Sequence, residues 1–150
     1  MRRALAALKY SGASRLAPIL ARRAEPALER LLALTGPATL VSVPVHLERR
    51  RARGYNQAEL LARALAPRLR LPTADPLVRA RSTTKQHRLN RVARLQNLRR
   101  AFVARPGAVA RTVILVDDII TTTATLEACA SVLRDAGCEA VYGFAVAREV

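Results

Sequence analysis

The feature that most constrains this chain is residues 113–125, VILVDDIITTTAT, where an apolar run meets two aspartates and then a cluster of threonines. The run from Val113 to Val116 is typical of a strand that is buried on both faces. Open α/β proteins bind ligands beyond the carboxyl ends of such strands. A helix that starts directly after the strand presents backbone N–H groups and a partial positive charge, which suit a phosphate. The segment therefore predicts a strand–loop–helix phosphate site.

The side chains around this turn would supply the chemistry of the site. Asp117 and Asp118 end the predicted strand, where carboxylates can accept hydrogen bonds from ribose hydroxyls or help to hold a hydrated magnesium ion. The phosphate-binding residues that we predict are Thr121, Thr122, Thr123, Ala124 and Thr125. The alternative is purely structural: the aspartates end the strand and Thr121 or Thr122 caps the helix. Capping alone leaves an acidic pair beside a phosphate loop unexplained, so we favour the site.

The rest of the chain alternates between helical and strand patterns, which predicts an α/β fold with a mostly parallel sheet flanked by helices. The predicted helices are residues 1–34, 56–69 and 122–136. The predicted strands are residues 39–45, 77–79, 101–104, 112–116 and 141–147. The other segments are a polar loop at 46–54, a turn between Pro72 and Pro76, and a mobile start to residues 81–98.

Length and composition limit the class of protein. A chain of 150 residues without repeats or a long linker predicts a single domain, with a helical N-terminal part (1–36) and a core (37–150). No run of eighteen apolar residues is present, and the N-terminus lacks the pattern of a signal peptide. His46 and His87 lie far from Cys129 and Cys138, so no zinc site is expected. We therefore expect a cytoplasmic protein with reduced thiols.

The charge balance favours a polyanionic partner. Lys and Arg outnumber Asp and Glu by 26 to 11, which gives a net charge of +15. A GC-rich genome explains Arg in place of Lys, but it does not explain the excess of bases over acids. The densest group is Arg49, Arg50, Arg51 and Arg53. Their paired N–H donors suit pyrophosphate or a DNA backbone, although charge runs on a surface are often merely solvated.

Residues 113–125 resemble the 5-phosphoribosyl-1-pyrophosphate (PRPP) binding motif of type I phosphoribosyltransferases: an apolar strand, Asp-Asp, then a Thr-Gly-x-Thr loop. The resemblance implies that Asp117 and Asp118 contact the ribose hydroxyls and that the loop 121–125 holds the 5-phosphate. Thr123 stands where the family usually has Gly. Because a β-branched residue resists the backbone angles that Gly permits, we expect a narrower cradle and tighter binding in Thr123→Gly.

Three further segments resemble the ComF family of competence-associated, phosphoribosyltransferase-like proteins: LKYSG (8–12), RRRARGYNQ (49–57) and residues 81–102. The matching positions in the third are Thr84, Gln86, Leu89, Arg94, Asn97 and Phe102. The resemblance runs from about Leu5 to Ala147. It implies that the loop after the first strand faces pyrophosphate. The family often carries an N-terminal four-cysteine zinc module; this chain shows none, having lost it or begun after it, so zinc is not carried over.

Residues 81–98 include a candidate lid. Lys85, Gln86 and Arg88 lie on its predicted mobile part, and such loops close over the substrate in many transferases. The alternative for these residues is an ordinary solvated loop.

Two functions fit these observations. The family's association with natural transformation implies work on incoming single-stranded DNA, beside a helicase partner, with the pocket holding a nucleotide, a PRPP-like regulator or a DNA end. Few aromatic residues are available for stacking, so backbone contacts should dominate. The alternative is an active phosphoribosyltransferase that uses PRPP and magnesium on an unidentified acceptor. We favour DNA handling as the biological role, with ligand binding retained, because fold alone does not fix function.

Overall fold

A four-stranded sheet with helices on both faces forms the core of the computed structural model, which describes residues 14–80, 98, 100–107 and 109–148. The helices are α1 (Ala17–Thr35), α2 (Leu47–Arg53), α3 (Gln57–Leu69) and α4 (Ala124–Asp135), and a 3-10 turn (Ser14–Leu16) precedes α1. The strands are β1 (Thr39–Ser42), β2 (Thr73–Ala74), β3 (Leu77–Arg79), β4 (Phe102–Ala104), β5 (Thr112–Ile120) and β6 (Ala140–Arg148). Over these ranges, no helix has the length and apolar character needed to cross a bilayer.

The sheet is parallel throughout, in the order β2–β1–β5–β6. The strands β3 and β4 lie outside it and pair with each other as an antiparallel ribbon. The predicted α/β fold, with a mostly parallel sheet flanked by helices, is confirmed. Each parallel connection runs through helical segments, as parallel strands require.

Both faces of the central strand are buried because helices cover both. Ile114 and Val116 contact the layer formed by α1 and α3, whereas Val113 and Leu115 contact α4 and the β3–β4 ribbon. Successive side chains in a strand point to opposite faces, so a strand covered on both sides has to be apolar at every position. Complete burial of one such side chain contributes roughly 1.5–3 kcal/mol.

Residues 46–54, predicted as a polar loop, instead contain the helix α2, and that prediction was wrong. Leu, Glu, Arg and Ala are good helix formers. At the start of α2, the His46 side chain accepts a hydrogen bond from the Glu48 N–H. At its end, Gly54 adopts a left-handed conformation (φ +82°) and its N–H donates to the Arg50 carbonyl. The caps define the helix although it lacks an apolar face.

Several predicted bounds also change. The strand β5 ends at Ile120 rather than at residue 116, so the helix that follows begins at Ala124 rather than at residue 122. The first strand is shorter than predicted, and the turn between Pro72 and Pro76 contains β2. The LKYSG segment and the candidate lid residues Lys85, Gln86 and Arg88 lie outside the described residues.

Candidate functional site

The site forms where β1 ends and β5 continues. Ser42 lies opposite Val116 in the parallel register, and the Val43 N–H donates to the Val116 carbonyl over 2.9 Å. Beyond that point β5 is paired only with β6 among the sheet strands, from Asp117 to Ile120. The carboxyl half of β5 therefore projects past β1 and carries both aspartates beyond the last β1 pair.

The two aspartates leave β5 on opposite faces, because they are consecutive residues of one strand. Asp118 is only 7% exposed and shares a face with Val116, towards α1 and α3. Asp117 is half-buried on the face of α4. Each carboxylate accepts a hydrogen bond from the next backbone N–H: Asp118 N–H to Asp117 Oδ1 over 2.8 Å, and Ile119 N–H to Asp118 Oδ1 over 2.9 Å. The prediction that the pair ends the strand was wrong; both residues lie within it.

The surroundings of Asp117 bring in residues from distant parts of the chain. The pKa of the Cys129 thiol on α4 is raised to about 12, mainly by burial and also by the Asp117 charge, while the Arg79 charge acts to lower it. The pKa of the Arg79 guanidinium is lowered, by burial first and then by the charge of Arg49. Arg49 is thus within electrostatic reach of Arg79, and Cys129 is within reach of both Arg79 and Asp117.

Sequence reasoning missed Arg79. Its guanidinium carbon lies 5.3 Å from the centre of the Phe102 ring, its partner across the β3–β4 ribbon. An arginine over an aromatic face is held in place by a cation–π interaction. The short LVR strand gave no sign of this, because Phe102 is distant in sequence and meets Arg79 only through antiparallel pairing.

The threonine loop is exposed and leads directly into α4. Thr121, Thr122 and Thr123 are exposed, whereas Ala124 and Thr125 form the half-buried first turn of the helix. Backbone N–H groups of a first helical turn have no partner within the helix, so they point towards the loop. The predicted phosphate-binding residues are thus contiguous around one helix start.

Thr123 differs from the expectation drawn from its sequence. Its backbone angles are φ −73° and ψ −7°, an ordinary right-handed conformation, so the expected strain of a β-branched residue is not present. Its hydroxyl donates to the Glu127 carboxylate and makes no side-chain cap to the helix backbone. The loop therefore carries a carboxylate within contact of one of its hydroxyls.

The four predicted arginines project from α2 in different directions. Arg49 and Arg53 are four residues apart and share one side of the helix, whereas Arg51 lies on the far side. Arg50 pairs with Glu59 of α3, with 3.1 Å between Nη2 and Oε2. The predicted cluster is therefore divided, and Arg49 is the member whose charge reaches Arg79.

The start of α3 anchors α2 to the sheet. Asn56 is 4% exposed; its Oδ1 accepts from the Ala58 N–H over 3.1 Å and its Nδ2 donates to the Val43 carbonyl over 3.0 Å. Asn56 thus caps α3 and also fixes the end of the arginine segment against the end of β1. With the Glu59 contact to Arg50, this places the arginine helix beside the edge that carries Asp117.

The sequence predicts that Asp117 and Asp118 help to hold a magnesium ion. No group of three or more His, Cys, Asp or Glu side chains arranged to hold a metal occurs in the described part of the chain. Magnesium is usually held by one or two carboxylates together with waters and substrate phosphates, and Asp117 beside the threonine loop fits that pattern. Cys129 and Cys138 are both buried free thiols.

No family model matches the chain. Among curated proteins, it is 38% identical over 116 residues to competence protein F of Haemophilus influenzae, covering 75% of this chain and 51% of that protein. It is 32% identical over 145 residues to the DNA utilization protein YhgH of Escherichia coli K12, covering 94% and 64%. It is 36% identical over 98 residues to competence protein ComFC of Bacillus subtilis, covering 65% and 39%. The chain thus spans about half to two thirds of the first two relatives.

Solved structures share the fold at low identity. The allosteric regulatory enzyme of purine biosynthesis superposes with a TM-score of 0.54 at 20% identity, over 91% of this chain and 25% of that one. The hypoxanthine phosphoribosyl transferase of Trypanosoma cruzi gives a TM-score of 0.53 at 12% identity, over 91% and 75%. At these identities the likeness establishes the fold alone.

Proposed function

Since this chain belongs to the ComF family of competence and DNA-utilization proteins and has a phosphoribosyltransferase-like fold, we propose that it handles single-stranded DNA in natural transformation and binds a sugar phosphate in the threonine loop. The DNA would come from a helicase partner of the uptake machinery. The sugar phosphate would be PRPP or a related nucleotide, carried with magnesium.

One observation carries the proposal: the arginine helix is anchored to the same sheet edge as the threonine loop. Asn56 ties the end of the arginine segment to Val43, and Val43 is hydrogen-bonded to Val116, one residue before Asp117. A phosphate backbone that crosses this edge meets Arg49 and Arg53 on one side of α2. A terminal phosphate or a PRPP-like ligand enters the start of α4.

The two phosphate-binding regions suit different ligands. Arg49 is exposed, so it can neutralise a phosphate of a flexible strand at little cost in desolvation. The loop has backbone N–H groups and hydroxyls, and Asp117 precedes it in β5. An anion that binds near this carboxylate is favoured when a divalent cation accompanies it. This supports PRPP with magnesium as the loop ligand.

A second candidate function is phosphoribosyl transfer, and the position of Arg79 favours it. Arg79 is stacked on Phe102 and is within electrostatic reach of Arg49, so the two guanidinium groups offer pyrophosphate a binding partner other than the 5-phosphate loop. In that reaction a nitrogen of the acceptor attacks the ribose carbon, the carbon–oxygen bond to pyrophosphate breaks, and pyrophosphate leaves towards the arginines. The protein would mainly stabilise charge on an oxocarbenium-like centre.

Two titrations test the proposal. A mixed-sequence single-stranded oligonucleotide, titrated at several salt concentrations, should bind with a log–log slope of about −0.7 per phosphate contacted. Unfolding followed with PRPP and magnesium should show a concentration-dependent rise in Tm. Inorganic phosphate with magnesium is the matched control and should give a smaller shift, because it lacks the ribose. Absence of oligonucleotide binding at low salt rules out the DNA role, and appearance of pyrophosphate with an amine acceptor supports transfer.

A further inference from the structure

A cavity of about 140 Å³ lies at the same sheet edge as the proposed site but one strand away from Asp117. It opens between α3 and the strands β1 and β2. Its lining includes Leu40, Ser42, Glu59, Ala62, Arg63 and Asp75. Because Ser42 lies opposite Val116, the cavity and the aspartate strand are neighbours across β1.

The size and walls of the cavity suit one flat ring. Its volume is well below the roughly 300 Å³ of a drug-sized site. Leu40 is 0% exposed and Ala62 is 3% exposed, so the inner wall is apolar and rigid. Such a wall can cover the face of a heterocycle without an aromatic partner.

The polar rim carries a carboxylate that can accept from N–H groups. Asp75 is an exposed carboxylate that follows β2, and its Oδ1 accepts from the Ser42 hydroxyl over a long 3.5 Å. A carboxylate has about four lone-pair positions, so this one contact leaves acceptor capacity for a ligand. The Asp75 carboxylate can accept from an amino group, as carboxylates do when they accept from the N4 amine of cytosine.

Glu59 connects the cavity to the arginine helix. Its Oε1 pairs with Arg63 at 2.7 Å and its Oε2 with Arg50 of α2 at 3.1 Å. Glu59 is thus occupied by two guanidinium groups, and Asp75 is the carboxylate of the lining that keeps acceptor capacity for a ligand. A group inside the cavity therefore lies next to a side chain that contacts the proposed backbone-binding helix.

We propose that this cavity is a nucleobase subsite, which takes an amino-bearing base such as cytosine while the adjacent phosphates lie on α2. The inference rests on the proposed DNA function. The base can be part of a DNA strand or belong to a free nucleoside, since both present the same N–H edge.

The test compares oligo-dC with oligo-dT of equal length at fixed salt. The wild-type protein should bind oligo-dC roughly fivefold to a hundredfold more tightly, the range for one good base contact. In Asp75→Asn the amide can donate to the thymine carbonyls, so the ratio should fall to near one or reverse. Glu139→Gln is the matched control: it removes the same charge beside the start of β6, at the opposite edge of the sheet, and should leave the ratio unchanged.

Binding of free deoxycytidine, measured by NMR line broadening, shows whether the cavity takes a free nucleoside or only a base within a DNA strand. It also distinguishes failure of the subsite from failure of the proposed DNA function. If both oligonucleotides bind equally, or if the preference survives in Asp75→Asn, the subsite is overturned while the DNA function stands. If neither oligonucleotide binds but deoxycytidine binds and is lost in Asp75→Asn, the subsite stands and the DNA function fails. If neither the oligonucleotides nor deoxycytidine bind, the subsite is overturned.

Discussion

The threonine loop and the arginine helix α2 both face the sheet edge, yet they would recognise phosphate by different means. The loop relies on backbone N–H groups at the start of α4 and is flanked by carboxylates, including Glu127 in contact with Thr123. The helix relies on exposed guanidinium groups. The N–H groups of a helix start act only within the first turn and require a defined geometry, whereas exposed charges act over distances of up to about 10 Å at 0.1 M salt. One region is therefore suited to a single defined ligand and the other to a polymer.

The largest expected effect comes from removing the negative charges of Asp117 and Asp118. Their removal should affect ligand binding in the threonine loop but not DNA binding to the arginine helix. Asp117→Asn with Asp118→Asn should abolish the rise in Tm given by PRPP and magnesium, a stabilisation of about 2.7 kcal/mol at one hundred times Kd. Asp117→Asn alone should account for most of the loss, because Asp117 is on the face of α4. Thermal unfolding with and without ligand measures this.

Oligonucleotide affinity of the same variants provides the control. It should stay constant or rise slightly, since carboxylates near the edge oppose a polyanion. A parallel loss of oligonucleotide and PRPP binding would show that the threonine loop and the arginine helix form one site rather than two.

The second prediction concerns the direction in which the arginines point. Arg49→Ala with Arg53→Ala should weaken binding to all single-stranded sequences alike and flatten the log–log salt slope by about 1.4, at 0.7 per phosphate contact. Arg51→Ala is the matched variant, because Arg51 lies on the far side of the same helix. It should change the slope by less than half as much.

Oligonucleotide titrations at several salt concentrations measure both variants. Equal effects of the two variants would mean that all the arginines of α2 act as one diffuse charge. In that case the helical arrangement adds nothing to recognition.

The smallest effect concerns the loop itself. Glu127→Gln should raise the affinity for PRPP by about 0.2–1 kcal/mol, the usual range for an exposed charge pair. Thr123→Gly should not give the gain of about 1 kcal/mol expected from relieved strain, since the Thr123 backbone is unstrained. Isothermal titration with PRPP and magnesium compares the two; a larger gain in Thr123→Gly would restore the steric interpretation.

Sequence patterns predicted well those elements whose signal is local. The apolar run at 112–116 and the periodicity of α1 and α3 identified the core elements, because burial on a sheet or under a helix imposes a period of two or 3.6 residues. Residues 46–54 give no such periodic signal, because α2 has no buried residues and no apolar period. Its caps at His46 and Gly54 were the remaining signal.

The sequence by itself determined the α/β class, the buried strand before a threonine loop, the excess of arginine and the family resemblance. Only the tertiary structure decided that Asp117 and Asp118 leave β5 on opposite faces, that Arg79 meets Phe102, and that a cavity opens beside Asp75. The physical reason is the separation along the chain over which each interaction acts. Periodicity and capping act over a few neighbouring residues, whereas strand length, register and the contacts between α2, α3 and the sheet depend on pairing between segments that are far apart in the chain.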